Sequence, residues 1–534
     1  MPTDGEILTL ESAPTTGRAG AYSKWAILAF VLVLQVLFFG FVGRHRFIDG
    51  DEGSYLLASR LVLSHKAPYL DFFWNQAPIL PYVYAAWMKF AGISWASGRM
   101  LSVLLTALLG LILCEHLYRE TRHWFAAVAG VVLFASSTMV FAWYPVAKTH
   151  SLAALLLFSA YAISSRATER PARWLIAGSG VLFGLSVDTR SYLLLLFPVF
   201  AWWIFQGAEK ERRRARLLSF VAGFVAGTLP SLYFFLRSPN VFLFDNLLYH
   251  SIRSSGGLIG WWAEKLVLVV QLFLGSSEGN GLQWSILFFV SAGLLSSAGK
   301  RNSCRLAFRL AVFLALICLL PTPTYLQYFS LCVPFLIVSA VTVADDFCSH
   351  LDGTRARAGA IAGSLAVLLL YVSFSAKDLH NYLFTGDGVP GLRLAYDRAD
   401  WKIERVVAVS EIVRQNTDSG DIAASFWPGD IFQTSAEPLP GLENPFALPI
   451  ADKLTAAQRS RYHILSAEGI LADFASHKPK VVVLRRQGLS AVTAEEFQRM
   501  QKLAKEFRTA LAADGYTLAG SVGGISIYRY GGTP

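Results

Sequence analysis

The chain has 534 residues, of which 54% are hydrophobic and only 16% charged, and its mean hydropathy is +0.44. Soluble chains are about one-quarter charged and lack repeated long apolar runs, so these figures exclude an ordinary water-soluble protein and point to a polytopic membrane protein with an added polar region. The net charge of +10 is no nucleic-acid signature, because the basic clusters lie between apolar runs, where they set topology.

Residues 1–24 read as a polar N-terminal tail. The apolar run that follows is too long for a signal-peptide core and reads as an uncleaved first span. A membrane-crossing helix needs about 17–25 mostly apolar residues. On that measure the spans are 25–43, 97–117, 125–143, 149–165, 174–188, 190–207, 217–236, 282–299, 306–321, 327–345 and 358–376, about 11 in all. Lys and Arg recur in every second connection: Arg119 and Arg122, Arg166 to Arg173, Lys210 to Arg216, Lys300 to Arg309, and Arg355 and Arg357. Those connections are therefore expected in the cytoplasm, which puts the N-terminus inside and the loop over 44–96 outside. Counting 263–275 as a span would break this parity, so it is expected to be re-entrant or interfacial. The five cysteines lie in or beside apolar runs without a CxxC pair, so neither a disulfide framework nor a zinc site is indicated.

From 377 to 534 the composition turns polar. Residues 401–415 and 494–512 have helical spacing, and 421–425, 481–484 and 525–528 read as strands. This predicts a small α/β domain, which eleven spans place on the exported side. It carries no phosphate loop, and no nucleotide cofactor is expected.

The loop over 44–96 is the most informative stretch. It holds Asp51 and Glu52, then Tyr55, then APYLDFFWNQAPILPYVY with Asp71. Asp and Glu favour the first turn of a helix, so Asp49 or Asp51 can be read as a cap. The functional reading is a general base, or a carboxylate shared with a divalent metal. Basic residues also sit in outer connections, against the topology rule: Lys148 with His150, Arg190 beside Asp188, and His250 with Arg253. Snorkelling or a local ion pair accounts for any one of them, but their recurrence favours a bound phosphate. Tyr325 and Tyr328 lie at the outer end of the tenth span, where an interfacial aromatic belt is the ordinary explanation.

At these residues the chain resembles a family. DEGSY from Asp51, the APYLDFFWNQAPILPYVY stretch, GRMLS from Gly98, DTRSYLLLLFP from Asp188 and PTYLQYFSLCVPF from Pro323 look like the membrane glycosyltransferases of the dolichyl-phosphate-mannose protein mannosyltransferase type, whose bacterial relatives include the lipid A aminoarabinose transferases (the GT-C superfamily). The resemblance covers about 25–376. It implies a many-helix membrane fold with an outward cavity, a polyprenyl-phosphate-linked sugar as donor, and inversion at the anomeric carbon. The acceptor would be a lipid, glycan or protein at the outer face of the cytoplasmic membrane. It implies Asp51 as the catalytic acidic position with Glu52 in support, and Arg190 with His250 and Arg253 against the lipid phosphate. Tyr55, Asp71, Lys148, Tyr325 and Tyr328 are taken as further substrate contacts, and Asp51 and His150 as ligands of a divalent metal. The chain departs from the pattern at Lys148-Thr149-His150, where many relatives are acidic, and at Gln327, where a basic residue is common. Other readings are a lipid-linked glycan transporter, a ligase using pyrophosphate donors, and an inactive relative acting as a scaffold.

Overall fold

The computed structural model describes residues 17–531 except 170–171, 208, 254–256, 277–280, 294–301, 388, 390–391, 393–394 and 487–493. Each predicted span falls on a helix. Four helical stretches are long and apolar enough to cross a membrane: Lys24–His45, Trp95–Thr121, Leu326–His350 and Thr354–Thr385. Arg213–Gly227 and Leu229–Arg237 form a fifth if the pair, bent by 55°, is one span. The segment 149–165 lies on one unbroken helix, Thr149–Glu169, while other predicted spans are shorter or interrupted. The segment 125–143 breaks at Ser137 between Trp124–Ser136 and Thr138–Phe141. The segment 190–207 opens with a 3-10 turn, Ser191–Leu196, before the helix Phe197–Gln206. The end of 282–299 lies outside the described residues. The segment 263–275 belongs to a longer helix, Gly257–Leu274.

Two helices approach with no room for side chains between them. On Arg173–Thr189, a Cβ added at Gly180 would lie 2.2 Å from the Phe220 carbonyl oxygen. On Arg213–Gly227, one added at Gly223 would lie 2.0 Å from the Ala177 carbonyl oxygen. Gly184 and Gly227 repeat the contact one turn along. Small residues four apart let helix backbones meet in this way where lipid offers no hydrophobic drive. The contact fixes the helix that ends at Arg190, whose extended backbone (φ −144°, ψ 102°) breaks the run.

The loop over 44–96 folds into two helices, Glu52–Leu63 and Ile79–Ala91. The first is buried along nearly its whole length, including Glu52, Tyr55 and Arg60. It lies beneath the C-terminal domain rather than in solvent.

That domain is α/β, as expected, with a five-stranded sheet: β1 Ile422–Ser425, β2 Glu437–Pro438, β3 Val481–Arg485, β4 Tyr516–Val522 and β5 Ile525–Tyr530. The order is β2-β1-β3-β5-β4. β1 runs parallel to β2 and β3, whereas β5 is antiparallel to β3 and β4. β2 and β4 were not predicted: β2 is too short to show a period, and β4 exposes most of its residues. Side chains alternate along β3 as strand geometry requires. Val481 and Val483 join the core shared with the helical bundle, while Val482 and Leu484 join a separate core with Phe426, Phe474 and Phe507. The face of Val481 and Val483 is covered by the helix Ile403–Gln415, against whose Ile412 Gly520 of β4 packs.

Candidate active site

Three acidic residues lie within four positions, and the fold treats them differently. Asp51 precedes the Glu52–Leu63 helix but makes no side-chain capping bond. The capping work falls to its neighbours: the Asp51 amide donates to Asp49 Oδ1 at 3.0 Å, and the Asp49 amide donates to Glu52 Oε1 at 2.8 Å. This reciprocal arrangement is close to a capping box, and it leaves the Asp51 carboxylate out of the helix start. The Asp51 side chain keeps 38% exposure, against 7% for Asp49 and none for Glu52. Of the three, only Asp51 is open to a substrate.

Glu52 is held by a bidentate pair with Arg99 from the Trp95–Thr121 helix, at 2.8 and 2.7 Å. It also accepts from the Ala147 amide at 3.1 Å. Arg99 donates further to the carbonyls of Gly43 and Arg46, both at 2.8 Å. Both Glu52 oxygens are occupied in the interior, so Glu52 ties four segments together and does not face a reacting atom.

Lys148 sits between the other two carboxylates. Its ammonium reaches Asp49 Oδ1, Asp51 Oδ2 and Gln327 Oε1, each at 2.8 Å. Burial works against this charge, but Asp49 and Asp51 outweigh it and hold Lys148 above the ordinary lysine range. Burial also works against the Asp49 anion, and Lys148 and Arg46 outweigh it, leaving Asp49 below the usual carboxylate range. The three ammonium donors are all engaged, so the substrate contact expected of Lys148 is replaced by an internal ion pair. Gln327, where the sequence resemblance led us to expect a basic residue, meets Lys148 through its amide oxygen. A cation there would crowd Lys148; an amide oxygen accepts from it.

Arg190 is buried, and its environment is different. Nη1 lies 2.9 Å from the Tyr192 hydroxyl and 3.2 Å from His150 Nε2, and the guanidinium carbon lies 4.9 Å from the Tyr328 ring centre. Its Nε has no hydrogen-bond partner. No carboxylate pairs with it among the described residues. A buried guanidinium without an acid is costly unless an anion arrives to meet it. Tyr55 and Tyr328 each interact electrostatically with both Asp51 and Arg190, so the carboxylate and the guanidinium border one site. Lys148, Gln327 and Tyr328 form a continuous path of contacts between them.

The other predicted residues divide. Tyr325 packs edge-on against Tyr328 with ring centres 5.7 Å apart, and Arg253 acts electrostatically on both tyrosines, so all three belong to this rim. His250 points to the Asn75 carbonyl at 3.3 Å, and burial together with Arg253 pushes it down to about 4. It is neutral at pH 7 and offers a phosphate no charge. Asp71 closes its own turn by accepting from the Ala67 amide at 2.7 Å and otherwise faces His463, so the turn accounts for it. His150 presents Nε2 to Arg190 rather than to Asp51. No group of three or more His, Cys, Asp or Glu side chains among the described residues is arranged to hold a metal. The ammonium of Lys148 takes the position between Asp49 and Asp51, so the residues present do not fit the divalent cation considered from the sequence.

The C-terminal domain reaches the same loop. Trp427 Nε1 donates to the Gly50 carbonyl at 2.7 Å, and its ring stacks on Trp95 at 5.7 Å. Arg485 lies over both Trp427 and Trp401, at 4.5 and 4.8 Å, and pairs with buried Asp430. Arg60 donates to the carbonyls of Ile431, Thr434 and Ala436. Gly53 permits this contact, since a Cβ there would lie 2.5 Å from the Gly429 amide nitrogen and 2.8 Å from its Cα. Gly53→Ala is therefore expected to destabilise the protein by about 1–3 kcal/mol through overpacking and to lower any activity carried by Asp51. Thermal unfolding in detergent would show it; a variant as stable as wild type would mean that the domain does not seat on the loop in solution.

Sequence reading missed Asp49, Arg99 and Trp427 as parts of the site. The D-G-D-E spacing carried a signal for Asp49, since an acid two residues before another at a helix start is well placed to accept its amide. Arg99 stood in the GRMLS motif of the resemblance, which assigned it no role, and nothing local announces Trp427.

No family model and no curated protein sequence matches the chain. Solved structures do. ArnT from Cupriavidus metallidurans bound to undecaprenyl phosphate aligns over 96% of this chain and 99% of its own, with TM-score 0.63 and 13% identity. The apo state of that protein gives TM-score 0.61 over the same share of this chain. The arabinofuranosyltransferase AftD from Mycobacteria aligns over 95% of this chain but 40% of its own, with TM-score 0.50 and 17% identity. The resemblance read from the sequence thus holds at the level of the fold, and over nearly the whole chain rather than about 25–376 alone.

Proposed function

We propose that the chain is a membrane glycosyltransferase that moves a sugar from a polyprenyl-phosphate carrier to a lipid, glycan or protein acceptor. The observation that carries this reading is the pairing of one accessible carboxylate, Asp51, with a buried guanidinium that has no acidic partner among the described residues, Arg190, across Tyr55 and Tyr328. A carrier of this kind has a phosphate at headgroup depth and a tail in hydrocarbon. It needs a basic group at the rim of a helical bundle and a base within reach of the acceptor. The shared fold with ArnT, solved bound to undecaprenyl phosphate, supports the same carrier class.

In this reaction the acceptor oxygen attacks the anomeric carbon opposite the phosphate. The bond from that carbon to the phosphate oxygen breaks, and its electron pair leaves with the carrier phosphate. Asp51 takes the acceptor proton, a role that requires its open position rather than the locked one of Glu52. Arg190 stabilises the phosphate charge, aided by Arg253, and Tyr55, Tyr325 and Tyr328 wall the site. Preorganised charge of this kind is often the largest catalytic contribution. The alternation of basic connections supports an inner-membrane protein with its N-terminus in the cytoplasm and with Asp51 and the C-terminal domain on the exported side.

Arg190→Ala is expected to weaken undecaprenyl phosphate binding roughly 10- to 100-fold, the worth of one or two charge-assisted hydrogen bonds, with the fold intact. Binding to the purified full chain in nanodiscs measures it. Unchanged affinity would place the phosphate elsewhere. Incubating proteoliposomes with a panel of undecaprenyl-phosphate-linked sugars and membrane lipid acceptors tests the reaction itself. Covalent transfer is the expected outcome; movement of the lipid across the bilayer without a product would identify a transporter instead.

A further inference from the structure

We propose that the ammonium of Lys148 is a tethered replacement for a divalent cation in this loop, so that the reaction centre works without a metal and opens a cation site only when Lys148 is removed. Three oxygens from two segments converge on one point: Asp49 Oδ1 and Asp51 Oδ2 from the loop, and Gln327 Oε1, each 2.8 Å from Nζ. That point is buried, since the Lys148 side chain is 2% exposed. Two carboxylates and an amide oxygen form a hard-donor set of the type that holds calcium or magnesium. Their spacing suits an ammonium. A divalent ion in their place would draw the oxygens in to about 2.3–2.6 Å for calcium and about 2.0–2.1 Å for magnesium.

The chemistry of the replacement is specific. A divalent ion between Asp49 and Asp51 would leave the pair with no net negative charge and would lower the basicity of Asp51 more than an ammonium does. A single ammonium shared by two carboxylates and an amide leaves one negative charge in the cluster. It also holds Asp51 in place through one oxygen and leaves the other open. The face of Trp143, 5.2 Å from Nζ, adds a further contact suited to an ammonium. The catalytic consequence rests on the reading of Asp51 as the base; the cation site does not.

Terbium luminescence separates the two. Tb³⁺ stands in for calcium, and Trp143 is close enough to the site to sensitise its emission. In the full detergent-solubilised chain, wild type is expected to give no saturable, calcium-competed emission. Lys148→Ala should gain one such site, and Lys148→Ala with Asp49→Asn should lose it again. A wild-type signal that Asp49→Asn abolishes would overturn the proposal, as would a folded Lys148→Ala variant that gains no site. Wild-type sugar transfer after exhaustive EDTA treatment adds a test that needs no variant. Unchanged turnover is expected, and loss restored by calcium, magnesium or manganese would overturn the proposal. Failure to observe transfer at all would count against the glycosyltransferase reading and leave the terbium result standing by itself.

Discussion

Asp51→Asn is expected to lower sugar transfer by roughly 10²–10⁴-fold, the range for loss of a positioned general base, while leaving thermal stability and undecaprenyl phosphate binding near wild type. Two observations set these expectations apart. The Asp51 carboxylate makes no capping bond and is the most exposed of the three acids, so its removal costs the helix little. Its partner Lys148 keeps Asp49 and Gln327, so no buried charge is stranded. The variant should therefore separate chemistry from folding, as neither Asp49→Asn nor Glu52→Gln would. Turnover in proteoliposomes at saturating donor is the measurement. A folded Asp51→Asn protein that transfers sugar at the wild-type rate would remove Asp51 from the chemistry.

How much of this was legible in the sequence differs by level. The helices were, because long apolar runs leave few alternatives: all of 97–117 lies within Trp95–Thr121, and all of 358–376 within Thr354–His380. Their interruptions were not. The break at Ser137 and the bend between Gly227 and Leu229 fall inside runs that hydropathy reads as continuous. The Gly180–Gly223 contact belongs to two helices at once, and one helix read alone shows only a tolerated glycine. Asp51 and Arg190 were legible as chemistry because each stands where a charge is unexpected. Their differing neighbours decided their roles. Lys148 looked like a phosphate ligand when read alone. Its carboxylates are 99 and 97 positions away in sequence, and only the fold reveals that it is already neutralised.

The C-terminal domain shows the same limit. Its alternation of strands and helices identified its class, and β3 appeared as VVVL within one residue of its observed end. What the domain is for could not be read from that pattern. Trp427 and Arg485 have unremarkable local contexts, yet they hold the Gly50 carbonyl next to Asp51. The domain is thus a positioning element for the loop as well as a separate core.

The second large effect concerns Arg99 and Glu52. The pair is fully buried, with side chains 3% and 0% exposed. Arg99 also gathers the carbonyls at the end of the first span, and Glu52 gathers the amides of Asp49 and Ala147. Arg99→Met would leave a buried carboxylate with no cation, a loss of about 3–5 kcal/mol. It would also release Ala147, the residue beside Lys148, and with it the geometry of the acidic loop. The double variant Arg99→Met with Glu52→Leu removes both charges together. It should be less destabilised than Arg99→Met alone, since isosteric apolar replacement of a buried pair is often neutral. A catalytic Glu52 and a structural one then diverge. If Glu52 took part in the chemistry, Glu52→Gln would lose turnover per folded molecule. If it holds the loop, Glu52→Gln should lose stability but keep turnover once folded protein is counted. Detergent thermal-stability profiles of the three variants, read beside turnover normalised to folded protein, distinguish these outcomes. An Arg99→Met protein as stable as wild type would show that the loop is fastened by other contacts, foremost those with Trp427 and Arg60.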